Sequence, residues 1–445
     1  MSFVAMAESN VRRTFASIAA NVGWLVADRV FRLGAGLLIT VWIARHLGPE
    51  KFGEWNYAIA FATLFCNLAT LGLDAIVVRD LVRDPSGTGR ILGTAFALKF
   101  LAAALTAGLA TAVVAVVRPQ VPELRLLVAL SAGAFVFQAA NVVDFYFLAH
   151  MRSRYSVLAQ NAAFVLLSLV RIAMLRAGAG ISAFALANLV EAAVAAGFMI
   201  WIYNRTGGDI RQWRYHAAYA RTALRSGAPL ILAGLAVSIY MRIDQVMLGQ
   251  MVGDKELGLY SAATRVSEAW YFVPIAIVNS FVPHLTQTHK HSHPDYLAAT
   301  QKLYSGMFLL SACIAIVTAL GANAVIELLY GESYRGAGTI LALQIWAGIF
   351  VCQGLATGSA LTTQGLQRLN MYRTTIGCIS NVILNLFLIP PYGAKGAAVA
   401  TVVSQGISAY SIGFFRSSRE TFAMMLRAYD ISRLFRRRVQ NVHVR

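Results

Sequence analysis

Charge is what this 445-residue chain has least of: Asp, Glu, Lys and Arg together make 13% of it, about half the share of an ordinary soluble domain. With 58% hydrophobic residues, too little polar surface is left to cover a water-soluble core, so a soluble enzyme is excluded. Only four cysteines are present, Cys66, Cys313, Cys352 and Cys378, with no C-x-x-C pair, so neither a disulfide scaffold nor a Cys-ligated metal site is indicated. Acids are outnumbered by bases, 20 to 38, which on a soluble chain would suggest nucleic acid. The apolar runs here recur along the whole chain, however, and they indicate an all-α, polytopic membrane protein in which the basic excess reports topology and lipid contact.

Twelve stretches are long and apolar enough to cross a hydrocarbon core of about 30 Å. They are expected near 21–44, 53–78, 91–117, 122–148, 157–175, 179–203, 227–250, 259–286, 303–329, 338–362, 374–390 and 396–415, numbered here as spans 1 to 12. Short turns, at Ala177–Gly180 and at Pro390–Gly393, predict tight helical hairpins. Pro274 predicts a kink in span 8, and Gly354 with Gly358 forms a G-x-x-x-G in span 10 that favours close packing. The loops on one side, with both termini, carry 24 Lys and Arg against 8 on the other, which predicts a multi-pass protein with both termini in the cytoplasm. Asp28, Arg29 and Arg32 in the first apolar run argue against a cleaved signal peptide. In the tail, Phe422, Met425, Leu426 and Tyr429 share a helical face, followed by Arg427, Arg433 and Arg436 to Arg438, a pattern suited to the inner membrane surface.

An internal repeat organises the chain. Residues 47–58, LGPEKFGEWNYA, echo residues 252–263, VGDKELGLYSAA, at an offset that matches Gly48 to Gly253, Gly53 to Gly258 and Trp55 to Tyr260. Gly178, Ala179, Ala183 and Ala185 echo Gly393, Ala394, Ala398 and Ala400. The expected division is an N-terminal interfacial segment over 1–20, a six-helix lobe over 21–203, a cytoplasmic loop over 204–226, a second six-helix lobe over 227–415 and a basic tail over 416–445. Parallel six-helix repeats are a transporter pattern, with substrate held between the lobes and exposed to each side in turn.

An ionisable side chain at mid-bilayer is costly and usually faces a cavity or a partner. At 1.5 Å per residue, Arg29 and Arg32 lie about 12 and 17 Å into span 1, and Asp28 is placed to pair with Arg32. Glu191 in span 6, Arg242 and Asp244 in span 7, and Arg265 and Glu268 in span 8 lie about 9–18 Å deep. The candidate substrate-binding residues are therefore Arg29, Arg32, Arg242 and Arg265, since guanidinium suits bidentate phosphate binding, and the candidate coupling network is Asp28, Glu191, Asp244 and Glu268. Arg171 and Lys99 are expected to snorkel to the membrane surface, and Asp74 and Asp144 to join interfacial networks. His289, His291 and His293 read as a polar cytoplasmic loop. The short outer loops carry no acid/base pair, so no catalytic residue, cofactor or metal is expected.

The residues of 381–404, NVILNLFLIPPYGAKGAAVATVVS, resemble the end of bacterial polysaccharide-biosynthesis flippases. So does the segment opening the second lobe, from Arg242-Ile-Asp-Gln-Val through Gly258-Leu-Tyr-Ser-Ala-Ala to Pro283. These flippases belong to the multidrug/oligosaccharidyl-lipid/polysaccharide exporter superfamily, alongside MATE antiporters and lipid II flippases. The resemblance implies two six-helix lobes of MATE-like and lipid II flippase-like architecture. It implies translocation of an undecaprenyl-diphosphate-linked oligosaccharide for O-antigen, capsule or exopolysaccharide synthesis. The implied partners are membrane lipids, the lipid-linked glycan and a polysaccharide polymerase with other assembly proteins; nucleic acid is not among them, and a monomer is expected. Lipid II flippases use arginines on the helices that here carry Arg29 or Arg32 and Arg265. The alternative is a multidrug/cation antiporter of the same superfamily, which would favour acidic sites.

Overall fold

The computed structural model describes the backbone over residues 2–430 and side chains over residues 31–430. Among these the chain is helical, with short 3-10 turns and no strand. Among the described residues, nine helical segments are long and apolar enough to cross a membrane. Two of them are far longer than one crossing needs: Phe31–Arg83, with 53 residues, would measure about 80 Å as a straight helix. It is interrupted at Gly48, whose φ of 76° and ψ of 169° are non-helical, so spans 1 and 2 are separate.

The second long segment is Gln367–Phe414, 48 residues with its break at Gly393, φ 54°. Here the reversal can be read from pairings. Asn381 Nδ2 donates to Ser404 Oγ at 3.2 Å, and a Cβ on Gly377 would come 2.6 Å from that of Ser408. A Cβ on Gly396 would fall on the carbonyl oxygen of Leu388. The residue numbers rise on one side as they fall on the other, which is an antiparallel helical hairpin at the Pro-Pro-Tyr-Gly turn. Span 8 runs in two pieces, Asp254–Glu268 and Phe272–His291, and completes the count of about twelve helices.

Four spans are broken internally, and they occupy matching places in the two repeats. Span 2 breaks at 71–73 before Asp74–Arg83, and span 8 breaks at 269–271. Span 4 passes through a 3-10 turn, Ala139–Asn141, and span 10 is split between Gly336–Gln344 and Ala347–Thr363. The break in span 8 follows from Pro274. Proline has no N–H for the carbonyl of Trp270, which instead accepts from Val273 N at 2.9 Å, tightening the turn.

The chain divides into two compact units. Unit 1 is Met1–Leu47 with Glu54–Ser238, and unit 2 is Gly48–Gly53 with Ile239–Arg445. Helix Ala217–Met251 thus begins in unit 1, where Asn67 Nδ2 donates to Gly234 O at 2.9 Å and a Cβ on Gly227 would sit 2.5 Å from Leu71 O. The preceding loop is an ordered strap on span 3 (Thr88–Val117): Arg214 N donates to Gly89 O at 3.1 Å, His216 N donates to Thr94 Oγ1 at 3.0 Å, and Trp213 packs on Phe96. Large aliphatic side chains such as Leu105, Leu232 and Leu320 face outward, while alanines and small polar residues fill the interior with seven buried tyrosines, a distribution suited to lipid as solvent.

The tail departs from expectation. Helix Arg419–Arg427 buries Met424 and Met425, Tyr429 packs edge-on to Phe308, and Phe422 meets Tyr410. Its apolar face therefore covers unit 2 rather than the membrane surface, because an aromatic groove of the same unit offers closer contacts; Leu426 alone of the four expected residues stays exposed. Arg433 and Arg436 to Arg438 lie outside the described residues.

Candidate functional site

Unit 1 encloses a cavity of about 390 Å³. Arg32 from span 1, Gln138 and Asn141 from the break in span 4, Gln160 from span 5, and Asn188 and Glu191 from span 6 line it, with Phe135 and several alanines. The 3-10 turn matters here: it interrupts the helix just where Gln138 and Asn141 leave it for the cavity wall. Arg32 Nε donates to Asn161 Oδ1 at 3.1 Å, and its guanidinium lies 5.8 Å from the ring centre of Phe164. A neighbouring cavity of about 240 Å³ shares Phe135, Gln138 and Asn141 with the first and is lined by Asp74, Lys99 and Asp144.

Two of the cations expected at the membrane surface are inside this unit. Arg171 is 6% exposed, and its Nη2 donates to Glu191 Oε2 at 2.6 Å and to Asn188 Oδ1 at 2.7 Å. Lys99 is 4% exposed, with Nζ 2.7 Å from Asp74 Oδ1 and 4.6 Å from the ring centre of Phe145. Both expectations of snorkelling are corrected for one reason: a carboxylate on the adjacent helix meets each cation at a distance shorter than the path to the surface. Glu191 is thereby committed to Arg171. Asp28 and Arg29 lie outside the residues whose side chains are described.

In unit 2, Arg242, Asp244, Arg265 and Glu268 come within electrostatic reach of one another. Two arginines and two carboxylates make a formally neutral group. Asp244 is buried and accepts from the Tyr260 hydroxyl and from Gln245 N. Tyr260 Oη is also 3.3 Å from Thr401 Oγ1 and accepts from Gln344 Nε2 at 3.4 Å, so one carboxylate is tied through one phenol to spans 8, 10 and 12. The Arg265 guanidinium stands 5.9 Å from the ring centre of Phe52, which itself packs on Tyr330 and Tyr334.

A further cation, half-buried, stands just ahead of span 11. Arg373 Nη2 donates to Gly354 O at 3.2 Å and to Asn370 Oδ1 at 2.9 Å. A Cβ on Gly354 would lie 2.8 Å from its Nη1, so the G-x-x-x-G face makes room for this guanidinium. His293 pairs with Glu420 at 3.3 Å and His289 packs on Tyr296. No cluster of metal-ligating side chains occurs among the described residues.

Helices long and apolar enough to cross a membrane, interrupted at matching places in two repeats and closing around polar side chains, define a polytopic membrane protein. The profile of the polysaccharide biosynthesis protein family matches residues 18–289, more than half of the chain, and the chain belongs to that family. A second profile, MatE, matches residues 229–387. Among curated proteins it is similar to the probable flippase AglR of Haloferax volcanii, 27% identical over 248 residues that make up 54% of this chain and 50% of that one. It is also similar to the capsular polysaccharide biosynthesis protein CapF of Staphylococcus aureus, 24% identical over 42% of this chain and 48% of the other. The chain thus spans about half the length of the curated relatives it matches. Its fold is that of the lipid II flippase MurJ in an inward closed conformation, with a TM-score of 0.72 at 13% identity over 91% of this chain and 90% of that one. An inward-facing MATE multidrug transporter of the MOP superfamily gives 0.71 at 16% identity over 88% and 95%.

Proposed function

We propose that this protein translocates a polyprenyl-diphosphate-linked oligosaccharide across the bacterial inner membrane by alternating access, as a step in surface polysaccharide assembly. Unaided crossing would strip water from a diphosphate and several sugars at once, so protein groups must substitute for that water. The observation that carries the reading is Arg32 on the wall of the unit 1 cavity, whose remaining polar lining is amides, the hydroxyls of Thr63 and Ser131, and an ion-paired carboxylate. Its planar guanidinium, which contacts the Asn161 amide and the Phe164 ring, carries the donor fork that a phosphate accepts. Arg242 is the corresponding cation of unit 2, with Arg265 beside it; Asp244 and Glu268 hold both in place when substrate is absent. Family membership and the names of the relatives, a probable flippase and a capsular polysaccharide biosynthesis protein, support the same substrate class. Loading occurs from the cytoplasm, where both termini lie, and the protein acts as a transporter, not an enzyme.

The fold is shared with a MATE multidrug transporter, and an organic-cation substrate is the competing reading. Such a substrate needs an available carboxylate, whereas Glu191 is paired with Arg171 and Asp244 with Tyr260, and Glu268 lies in the field of Arg242 and Arg265. The test is glycan export in a flippase-deficient strain, with membrane abundance measured for each variant. The Arg32→Ala, Arg242→Ala double variant should insert normally and lose export. Full export at normal abundance rejects the assignment of these two residues, and failure of the unaltered protein to restore export rejects the flippase.

A further inference from the structure

We infer that the unit 1 cavity is a sugar subsite, taking one or two uncharged residues, hexose or N-acetylhexosamine, next to the diphosphate of the carrier. This inference rests on the flippase reading and adds the part of the substrate that the cavity recognises. The observation is a set of unused amides. The side chains of Gln138, Asn141 and Gln160 line the cavity, and none makes a hydrogen bond among the described residues. Asn188 spends only its oxygen, on Arg171. Gln138 is exposed and Asn141 and Gln160 are partly so, which leaves their amides to water or to a ligand in the cavity.

Their chemistry narrows the ligand. An amide carries donors and an acceptor side by side, and so does each sugar hydroxyl with its neighbour, so amides pair with vicinal hydroxyls without adding charge. Alanines and Phe135 supply apolar wall for the C–H faces of a pyranose. At about 390 Å³ the cavity is near the small end of ligand pockets, which suits one or two sugar rings and excludes a long repeat unit from being held whole. The remaining repeat unit must extend out of it. Once Arg32 is given to the phosphate, the one charged group left on the wall is Glu191, paired to Arg171 but still presenting carboxylate oxygen. A uronic acid placed there would meet like charge, so the site favours neutral residues.

The experiment uses the full-length protein in nanodiscs and three probes on one short polyprenyl chain: the bare diphosphate, the diphosphate bearing N-acetylglucosamine, and the diphosphate bearing glucuronic acid. Affinities are measured by calorimetry. The N-acetylglucosamine probe should bind about tenfold or more tightly than the bare diphosphate, and the glucuronic acid probe should gain less. The Gln138→Ala, Asn141→Ala, Gln160→Ala variant should lose the sugar-dependent gain while binding the bare diphosphate as before, and Arg32→Ala should weaken all three probes alike. If the triple variant does not accumulate, Gln138→Leu and Asn141→Leu are measured singly, each expected to remove part of the gain. No gain from the neutral sugar, or a gain that survives the amide substitutions, overturns the subsite and leaves the flippase reading standing. A glucuronic acid gain equal to the neutral one overturns the preference for uncharged residues. Failure of all three probes to bind overturns both readings.

Discussion

Gly53 lies so close to Asp254 that a Cβ on the glycine would fall on the carbonyl oxygen of the aspartate. The relationship is reciprocal. Gly258, the repeat counterpart of Gly53, stands in the same way to the carbonyl of Pro49, the counterpart of Asp254. Both pairs belong to unit 2, where Phe52 is fully buried beside them. The two matched sequence segments therefore pack on each other, and glycine recurs because each turn presses main chain against main chain.

Gly53→Ala and Gly258→Ala should each destabilise the protein by about 1–3 kcal/mol, since a rigid carbonyl cannot retreat as a side chain would. Gly108→Ala, in a helix with nothing within 4 Å of the new methyl, should be neutral or slightly stabilising. Thermal unfolding in detergent measures all three. Equal melting temperatures for Gly53→Ala and Gly108→Ala would refute the close-packing argument.

The Arg171–Glu191 pair gives a second prediction. Arg171→Met leaves a carboxylate on the cavity wall without its cation and should cost about 3 kcal/mol, and Glu191→Gln leaves a buried guanidinium and should cost a similar amount. The double replacement should recover most of the loss, because neither charge then needs compensation. Additive costs in a double-mutant cycle would show that the two side chains stabilise the fold independently.

These cases show what could be read from the sequence. The spans and hairpin turns were legible because apolar runs and Gly or Pro turns are local signals, and Pro274 announced the break in span 8. The breaks in spans 4 and 10 carry no Gly or Pro at Ala139–Asn141 or at Ile345–Trp346. A polar stripe, Gln138, Asn141 and Asp144 at three-residue intervals, was the available clue to the cavity. Pairings such as Lys99 with Asp74 and Arg171 with Glu191 join different helices, so depth arithmetic on a single span could not find them. The apolar face of the tail was visible, but sequence alone did not say whether lipid or Phe308 and Tyr410 would cover it.

Orientation is tested by labelling single cysteines in a cysteine-free background. Ser86 and Ser333 are both exposed in connections at opposite helix ends. Ser333→Cys should react with an impermeant maleimide in intact cells, and Ser86→Cys should react only after the membrane is opened. The reverse pattern would place the termini outside and overturn the direction proposed for transport.

The final prediction separates charge from shape at Arg32. A lysine there keeps the positive charge but replaces a planar fork with a point charge, and it would not reproduce both the contact to Asn161 and the placement over Phe164. A glutamine keeps hydrogen bonding and removes the charge. If Arg32 serves the diphosphate, export should fall in the order Arg, Lys, Gln, with Lys keeping a measurable fraction and Gln little. If Arg32 only props span 1 against span 5, the order follows stability: Gln, which removes a half-buried charge, should then export at least as well as Lys. Initial export rates at matched membrane abundance, read together with the melting temperature of each variant, decide between the two. Export that tracks melting temperature across the three side chains would remove Arg32 from the substrate path.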